Sequence, residues 1–287
     1  MTPLSPERVM ATVRELPALP AVVLELIDLL GHEDVAADQL ASKIMNDQAL
    51  TAKTLRLANS SFYGIPRKVS SVSDAISVLG LRTVRSVVTA AAVTGSFAPP
   101  RCEGFDFVAF WRHAIATAMC ARLLAVHMKI DPEAAFTAGL LHDLGHLVLA
   151  SCFAPEFAQV LAHQSEHDMP AVEAEQALLG MSHPAVGGLM AEHWRFSPDV
   201  VQAIRQHHAP EVPGVGVRLC SLVHVADNMA HALDLAHLEG DAVPALCTAA
   251  WMQVALDGPT CRRVLEQTET QAEAVCEVLI REPRSPQ

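Results

Sequence analysis

Apolar residues recur along this chain at three- and four-residue intervals and period-two alternation is absent, a pattern that predicts an all-α protein. The periodicity predicts helices near residues 5–15, 19–31, 36–46, 48–59, 72–79, 81–96, 105–128, 132–150, 154–168, 170–180, 184–195, 198–207, 215–236, 243–256 and 268–281. A capping residue followed by proline marks starts at Asp131-Pro132, Ser197-Pro198 and His183-Pro184. One segment stands apart. Ala134 to Ala150, AAFTAGLLHDLGHLVLA, is apolar on almost every face, so the helix it predicts is buried, yet it carries His142, Asp143 and His146 within about one turn. Burying a carboxylate and two imidazoles costs on the order of several kcal/mol unless they have partners, and a divalent metal is the most economical partner.

Breaks in the pattern predict the organisation. Ser96 to Gly104 holds two consecutive prolines and a glycine and marks a junction between two helical lobes, 1–98 and 105–236. Residues 240–287 read as added helices packing on the second lobe, with a disordered tail from Pro283.

Composition narrows the class. Apolar residues make up 51% and charged residues 18%, but ionisable groups interrupt every apolar run before about 18 residues, so no membrane span is expected. The N-terminus has Glu7 and no apolar signal core, which predicts a cytoplasmic protein. Seven cysteines without a CxxC pair fit reduced, mostly buried thiols. Of the charged groups, residues 1–100 hold nine basic and nine acidic, leaving eleven basic and twenty-three acidic for the rest. That acid excess disfavours nucleic acid as a partner and a helical DNA-binding role, and the small cluster at Arg82 and Arg85 reads as a solvated helix face.

Histidines carry the chemistry. Twelve of the fourteen lie between His113 and His231. Within that stretch His113, the His142-Asp143 doublet, His183, the His207-His208 doublet and Asp227 each fall on a different predicted helix or helix end. Helices that each contribute an inward imidazole or carboxylate build a metal site suited to Fe, Mn or Zn. Each residue also has a plainer role open to it. His183 sits beside Pro184 as a helix cap, and His207 and His208 precede Pro210 where they complement a helix dipole. Adjacent residues on a regular helix point about 100° apart, so His207 and His208 share one site only where the helix frays. His146 either faces the site or pairs with His142 at i,i+4. His127, His163, His167, His193, His224, His231 and His237 read as surface or satisfied core residues. Asn59, Ser60 and Ser61 read as a structural turn, and Leu24, Ile27 and Leu30 as core.

The order of His113, His142-Asp143 and Asp227 resembles the HD-type metal-dependent phosphohydrolases. The wider set of motifs is similar to the HDOD (HD-related output domain) family: Leu16-Pro-Ala-Leu-Pro20, Asn59-Ser-Ser-Phe-Tyr-Gly64, Ala75-Ile-Ser-Val-Leu-Gly80, Gly139-Leu-Leu-His-Asp-Leu-Gly145 and Ile204-Arg-Gln-His-His208. The resemblance spans roughly residues 10–235. It implies a two-lobed helical fold in bacterial signal transduction, with an HD-like second lobe that is often catalytically degenerate. It also implies His113, His142, Asp143 and Asp227 as metal ligands, with His183, His207 and His208 resembling the second-metal ligands of HD-GYP phosphodiesterases, for one or two ions in all.

Two departures from the enzyme pattern matter. Active relatives commonly carry a phosphate-binding lysine four residues after the first His of the doublet, and here that position is His146, only partly charged at neutral pH. The only tyrosine is Tyr63, so no Gly-Tyr-Pro loop exists. The resemblance therefore implies an output protein that acts on a signalling protein partner or binds a nucleotide ligand. The competing class is a phosphohydrolase on a nucleotide or cyclic dinucleotide, with His142, Asp143 and His146 as its catalytic candidates.

Overall fold

A computed structural model describes residues 3–14, 23–24, 37–60, 62–211, 218–238 and 242–280. Most of the helix expected at 19–31, with Ile27 and Leu30, lies outside the described residues, as do Leu16–Pro20, Ser61 and the tail from Pro283. Among the described residues every regular element is a helix and there is no strand.

The N-terminal part contains α1 (Pro6–Val13), α2 (Ala37–Met45), α3 (Gln48–Ala58), α4 (Val72–Leu79) and α5 (Leu81–Ser96). Short polar side chains start three of them, as Ser5, Asp47 and Ser71 accept the backbone N–H of Arg8, Leu50 and Asp74. Asn59 then shapes the turn after α3, its Nδ2 donating to the carbonyls of Leu55 (2.7 Å) and Val69 (2.9 Å) while its Oδ1 accepts the Val69 amide. Helix α5 is buried from Val84 to Thr94, between the N-terminal helices and the rest of the fold. The solvated-face expectation thus holds for Arg82, which pairs with Asp131 at 3.5 Å, but not for Arg85, which this packing leaves only 4% exposed.

Beyond the proline-rich junction come α6 (Phe107–Met128), α7 (Pro132–Leu141), α8 (Leu144–Cys152), α9 (Ala154–His167), α10 (Ala171–Leu179), α11 (His183–His193), α12 (Pro198–Gln206), α13 (Leu219–Ala232), α14 (Thr248–Val254) and α15 (Gly258–Leu279). Helix α6 is the hub, buried on nearly every face, with α7, α13 and α15 packed around it. One apolar core runs from Leu4 through α5 and α6 to Leu279, crossing the junction. A polar clamp also bridges it. Arg122 of α6 donates through Nε and Nη2 to Glu133 Oε1 at 3.2 and 3.1 Å, and its guanidinium lies 4.9 Å from the Phe62 ring centre. Thr83 of α5 donates to the same oxygen at 3.3 Å.

Several helix boundaries differ from expectation, α14 among them, which runs over Thr248–Val254 rather than 243–256. The helix expected over 132–150 is interrupted at His142-Asp143, where Asp143 adopts φ −97°, ψ 12°. The final helix starts at Gly258 rather than 268, capped by Asp257, whose side chain accepts the Thr260 amide. The helix expected from 215 starts at Leu219.

Candidate metal centre

The seven residues singled out by chemistry converge from five places in the chain. His113 projects from α6, His142 and Asp143 form the turn between α7 and α8, and His183 is the first residue of α11. His207 and His208 follow directly on α12, and Asp227 lies within α13. Two glycines bring these elements close. A Cβ on Gly139 would lie 2.8 Å from Ala118 Cα, so the backbones of α6 and α7 touch and His142 comes beside His113. A Cβ on Gly145 would run into the His183 carbonyl, so α8 seats directly against the start of α11 and brings His183 beside Asp143.

The ligand atoms form two groups joined by one carboxylate. In the first, His113 Nε2 is 3.0 Å from Asp227 Oδ1 and 3.2 Å from His142 Nε2, and His142 Nε2 is 3.3 Å from Asp143 Oδ2. In the second, Asp143 Oδ1 is 3.3 Å from both His183 Nε2 and His207 Nε2, and His183 Nε2 is 3.0 Å from His208 Nε2. Asp143 thus turns one oxygen to each group. His207 and His208 share the site because α12 has already ended at Gln206.

Hydrogen bonding on the outer side of each ring defines what faces inward. His142 Nδ1 donates to the Gly139 carbonyl (2.7 Å), His207 Nδ1 to the Ile204 carbonyl (2.8 Å) and His183 Nδ1 to the Glu175 carboxylate (2.8 Å). In the neutral rings this leaves the inward Nε2 atoms as bare acceptors facing carboxylate oxygens. Asp227 Oδ2 is also buried without a hydrogen-bond partner. An acceptor-only cluster in a low-dielectric interior is held together by a cation. Separations of 3.0–3.4 Å between these atoms match the edges of a coordination polyhedron with ligand bonds of about 2.1 Å. The residues therefore fit one or two divalent ions.

Protonation follows the same logic. Burial opposes ionisation of Asp143 and Asp227, but the neighbouring imidazoles outweigh it and hold both carboxyls well below the usual range. Burial pushes His113 and His207 down and, with the imidazoles of His207 and His183, holds His208 down to about 2. His142 moves the other way. Burial is outweighed there by the negative charges of Asp143 and Asp227, which favour the protonated ring.

His146 pairs not with His142 but with Glu175, its Nε2 2.9 Å from Glu175 Oε1 and its ring centre 3.7 Å from that of His183. His183 is not the cap of its helix. Ser182 takes that position, and the His183 backbone N–H donates to Glu175 Oε2 at 2.7 Å. Two residues of the centre escaped the sequence reading. Glu175 is fully buried, and its only signal in the chain is one acidic residue eight positions before His183. His231, read as surface or core, follows Asp227 at i,i+4, lies 3.4 Å from its Oδ1 and stacks 4.3 Å from the His113 ring. His224 is a satisfied core residue as expected. Pro132–Cys152 is long and apolar enough by composition to cross a membrane, but 83% of its most apolar window is buried in the protein.

Comparison with known proteins agrees with this architecture. An HDOD domain protein with unknown function from Geobacter sulfurreducens superposes with a TM-score of 0.79 at 27% identity, over 96% of this chain and 98% of that one. A structure from Shewanella amazonensis SB2B, described as a candidate phosphohydrolase, gives 0.77 at 28% identity, covering 94% and 97%. An uncharacterised protein of Treponema pallidum is 27% identical over 231 residues, 77% of this chain but 43% of its own length, so the chain spans less than half of that curated relative. The family model for the HDOD domain matches residues 16–210, and with that match over two thirds of its length the chain belongs to the HDOD family.

Proposed function

We propose that this HDOD chain is a regulatory output protein of bacterial signal transduction whose metal centre is a structural or sensory element, and that it acts by binding a signalling protein or a nucleotide ligand. The observation that carries the reading is the engagement of His146. At the position where an active relative commonly places a free lysine for a substrate phosphate, His146 is turned onto Glu175 at 2.9 Å and stacked on His183. His142, His183 and His207 are 0% exposed and Asp227 1%, so the centre reaches solvent mainly past Asp143, His146 and His208. Ion occupancy then shifts the packing of helices around the centre and with it an interaction face.

A second reading, metal-dependent phosphohydrolysis, draws on the bridging position of Asp143 and the likeness to the Shewanella structure. Divalent ions in such a centre supply an activated water and neutralise phosphate charge. The residues of this chain would hold the ions and exclude bulk water.

Metal content by plasma mass spectrometry, measured on wild type and on the His142→Ala/Asp143→Ala double variant, tests both readings together with solution scattering before and after chelation. Near-stoichiometric metal that the variant loses, a scattering change on chelation and no turnover of nucleotide or cyclic-dinucleotide substrates support the output role. Metal-dependent turnover abolished by Asp143→Ala would transfer the assignment to the hydrolase.

A further inference from the structure

We infer that Glu175, which is not itself a ligand, is a positioning residue that sets the affinity of one half of the metal centre, the half built on His183, His207 and His208. The inference rests on the metal-binding reading above. Glu175 comes from α10, is 0% exposed, and its two oxygens receive four hydrogen-bond contacts. Oε2 takes the His183 backbone N–H at 2.7 Å and His183 Nδ1 at 2.8 Å, while Oε1 takes His146 Nε2 at 2.9 Å and His183 Nδ1 at 3.0 Å. Every one of these neighbours is a donor. The group formed by His146, Glu175 and His183 is close enough to be mistaken for a third ion site, but its hydrogen bonds are complete without an ion. In the centre proper, by contrast, acceptors face acceptors.

The consequence is an asymmetry between the two halves. His142 and His207 are oriented by neutral carbonyls, those of Gly139 and Ile204, whereas His183 is oriented by a carboxylate. An anionic partner fixes the Nδ1–H tautomer, aims Nε2 at Asp143 Oδ1 and makes that nitrogen a stronger donor to a metal. By holding the His183 backbone as well, Glu175 also fixes the first turn of α11. These hydrogen bonds go to His146 and His183 and not to His113 or Asp227 of the other half.

Titration with Co(II), followed by visible absorption and by ions bound per chain, tests this on wild type, Glu175→Gln and Glu175→Asp, with thermal melts alongside. Glutamine preserves the shape but not the charge. The expected result is a loss of second-ion affinity of about 10–100-fold in Glu175→Gln, with first-ion affinity within about twofold of wild type and a changed Co(II) spectrum, and partial rescue in Glu175→Asp. Unchanged affinities for both ions overturn the inference, as does equal weakening of both with a lowered melting temperature, which marks a merely structural role. A wild type that takes fewer than two ions sinks the two-ion centre and this inference together, whereas two ions in both wild type and Glu175→Gln with equal affinities sinks the inference alone.

Discussion

The carbonyl oxygen of His207 accepts the Nδ1–H of His224 at 2.5 Å, and the opposite nitrogen of the same ring accepts the Cys247 amide at 2.8 Å. A fully buried imidazole on α13 thus ties the turn that carries two metal-facing histidines to the segment leading into α14. His224→Leu keeps the volume but leaves a buried carbonyl and a partly buried amide unpaired, which costs about 2–4 kcal/mol. Thermal and denaturant unfolding of the variant check this, and an unchanged stability would show that water or a shifted backbone replaces the ring.

Gly145 is where helix packing and the centre meet. A Cβ there would run into the His183 carbonyl and the Gly187 amide, which belong to the backbone and cannot swing away. Gly145→Ala forces α8 and α11 apart, at a cost of about 1–3 kcal/mol or more, and draws His183 away from Asp143. Gly258→Ala is the control, because a Cβ there meets nothing within 4 Å. Comparable melting temperatures for the two variants would refute the close approach.

Helix class and most of the centre were legible because both follow from local chemistry. Three- and four-residue periodicity marks amphipathic helices, and His142 and Asp143 stood out as polar groups in a segment too apolar to be exposed. The break between α7 and α8 was not legible, since neither Gly nor Pro stands at 142–143 and the interruption arises from bringing both side chains into one centre. His142 and Asp143 need a helix end just as His207 and His208 do, since their directions on a continuous helix differ by about 100°. Glu175 was hidden because an acidic residue in AVEAEQALL reads as the wet face of an amphipathic helix. The start of α15 was written in Asp257-Gly258-Pro259, a cap followed by proline that reads equally as a loop breaker.

Alkaline pH exposes a separate liability on α6. Burial pushes the Cys120 thiol from 9.0 up to about 12. Above pH 9 the unfolded chain gives up this proton and the folded one does not, so the folded state binds more protons and stability falls as pH rises. The slope attributable to this thiol is at most about 1.4 kcal/mol per pH unit, and it ends near the folded value. Below pH 9 the thiol is protonated in both states and contributes no slope. Chemical denaturation of wild type and Cys120→Ala from pH 8 to 11 should give a shallower alkaline decline in the variant, and parallel curves would rule the thiol out.

The two carboxylates of the centre differ in reach, and that difference separates a bridged pair of ions from two independent sites. Among the described residues Asp227 Oδ1 meets His113, His142 and His231, at 3.0, 3.4 and 3.4 Å. Asp143 places Oδ2 at 3.3 Å from His142 and Oδ1 at 3.3 Å from His183 and His207, so it belongs to both groups. Removing Asp227 strips one ion of a charged ligand and leaves the other group intact, while removing Asp143 withdraws the anion shared by both groups, leaving Asp227 to the first and imidazoles alone to the second, so that the repulsion between two dications is no longer bridged. Metal counted per folded chain after dialysis should fall from about two in wild type to about one in Asp227→Ala and to near zero in Asp143→Ala. Equal loss in the two variants, or retention of one ion in Asp143→Ala, would mean that the carboxylate serves one ion and that the two groups fill independently.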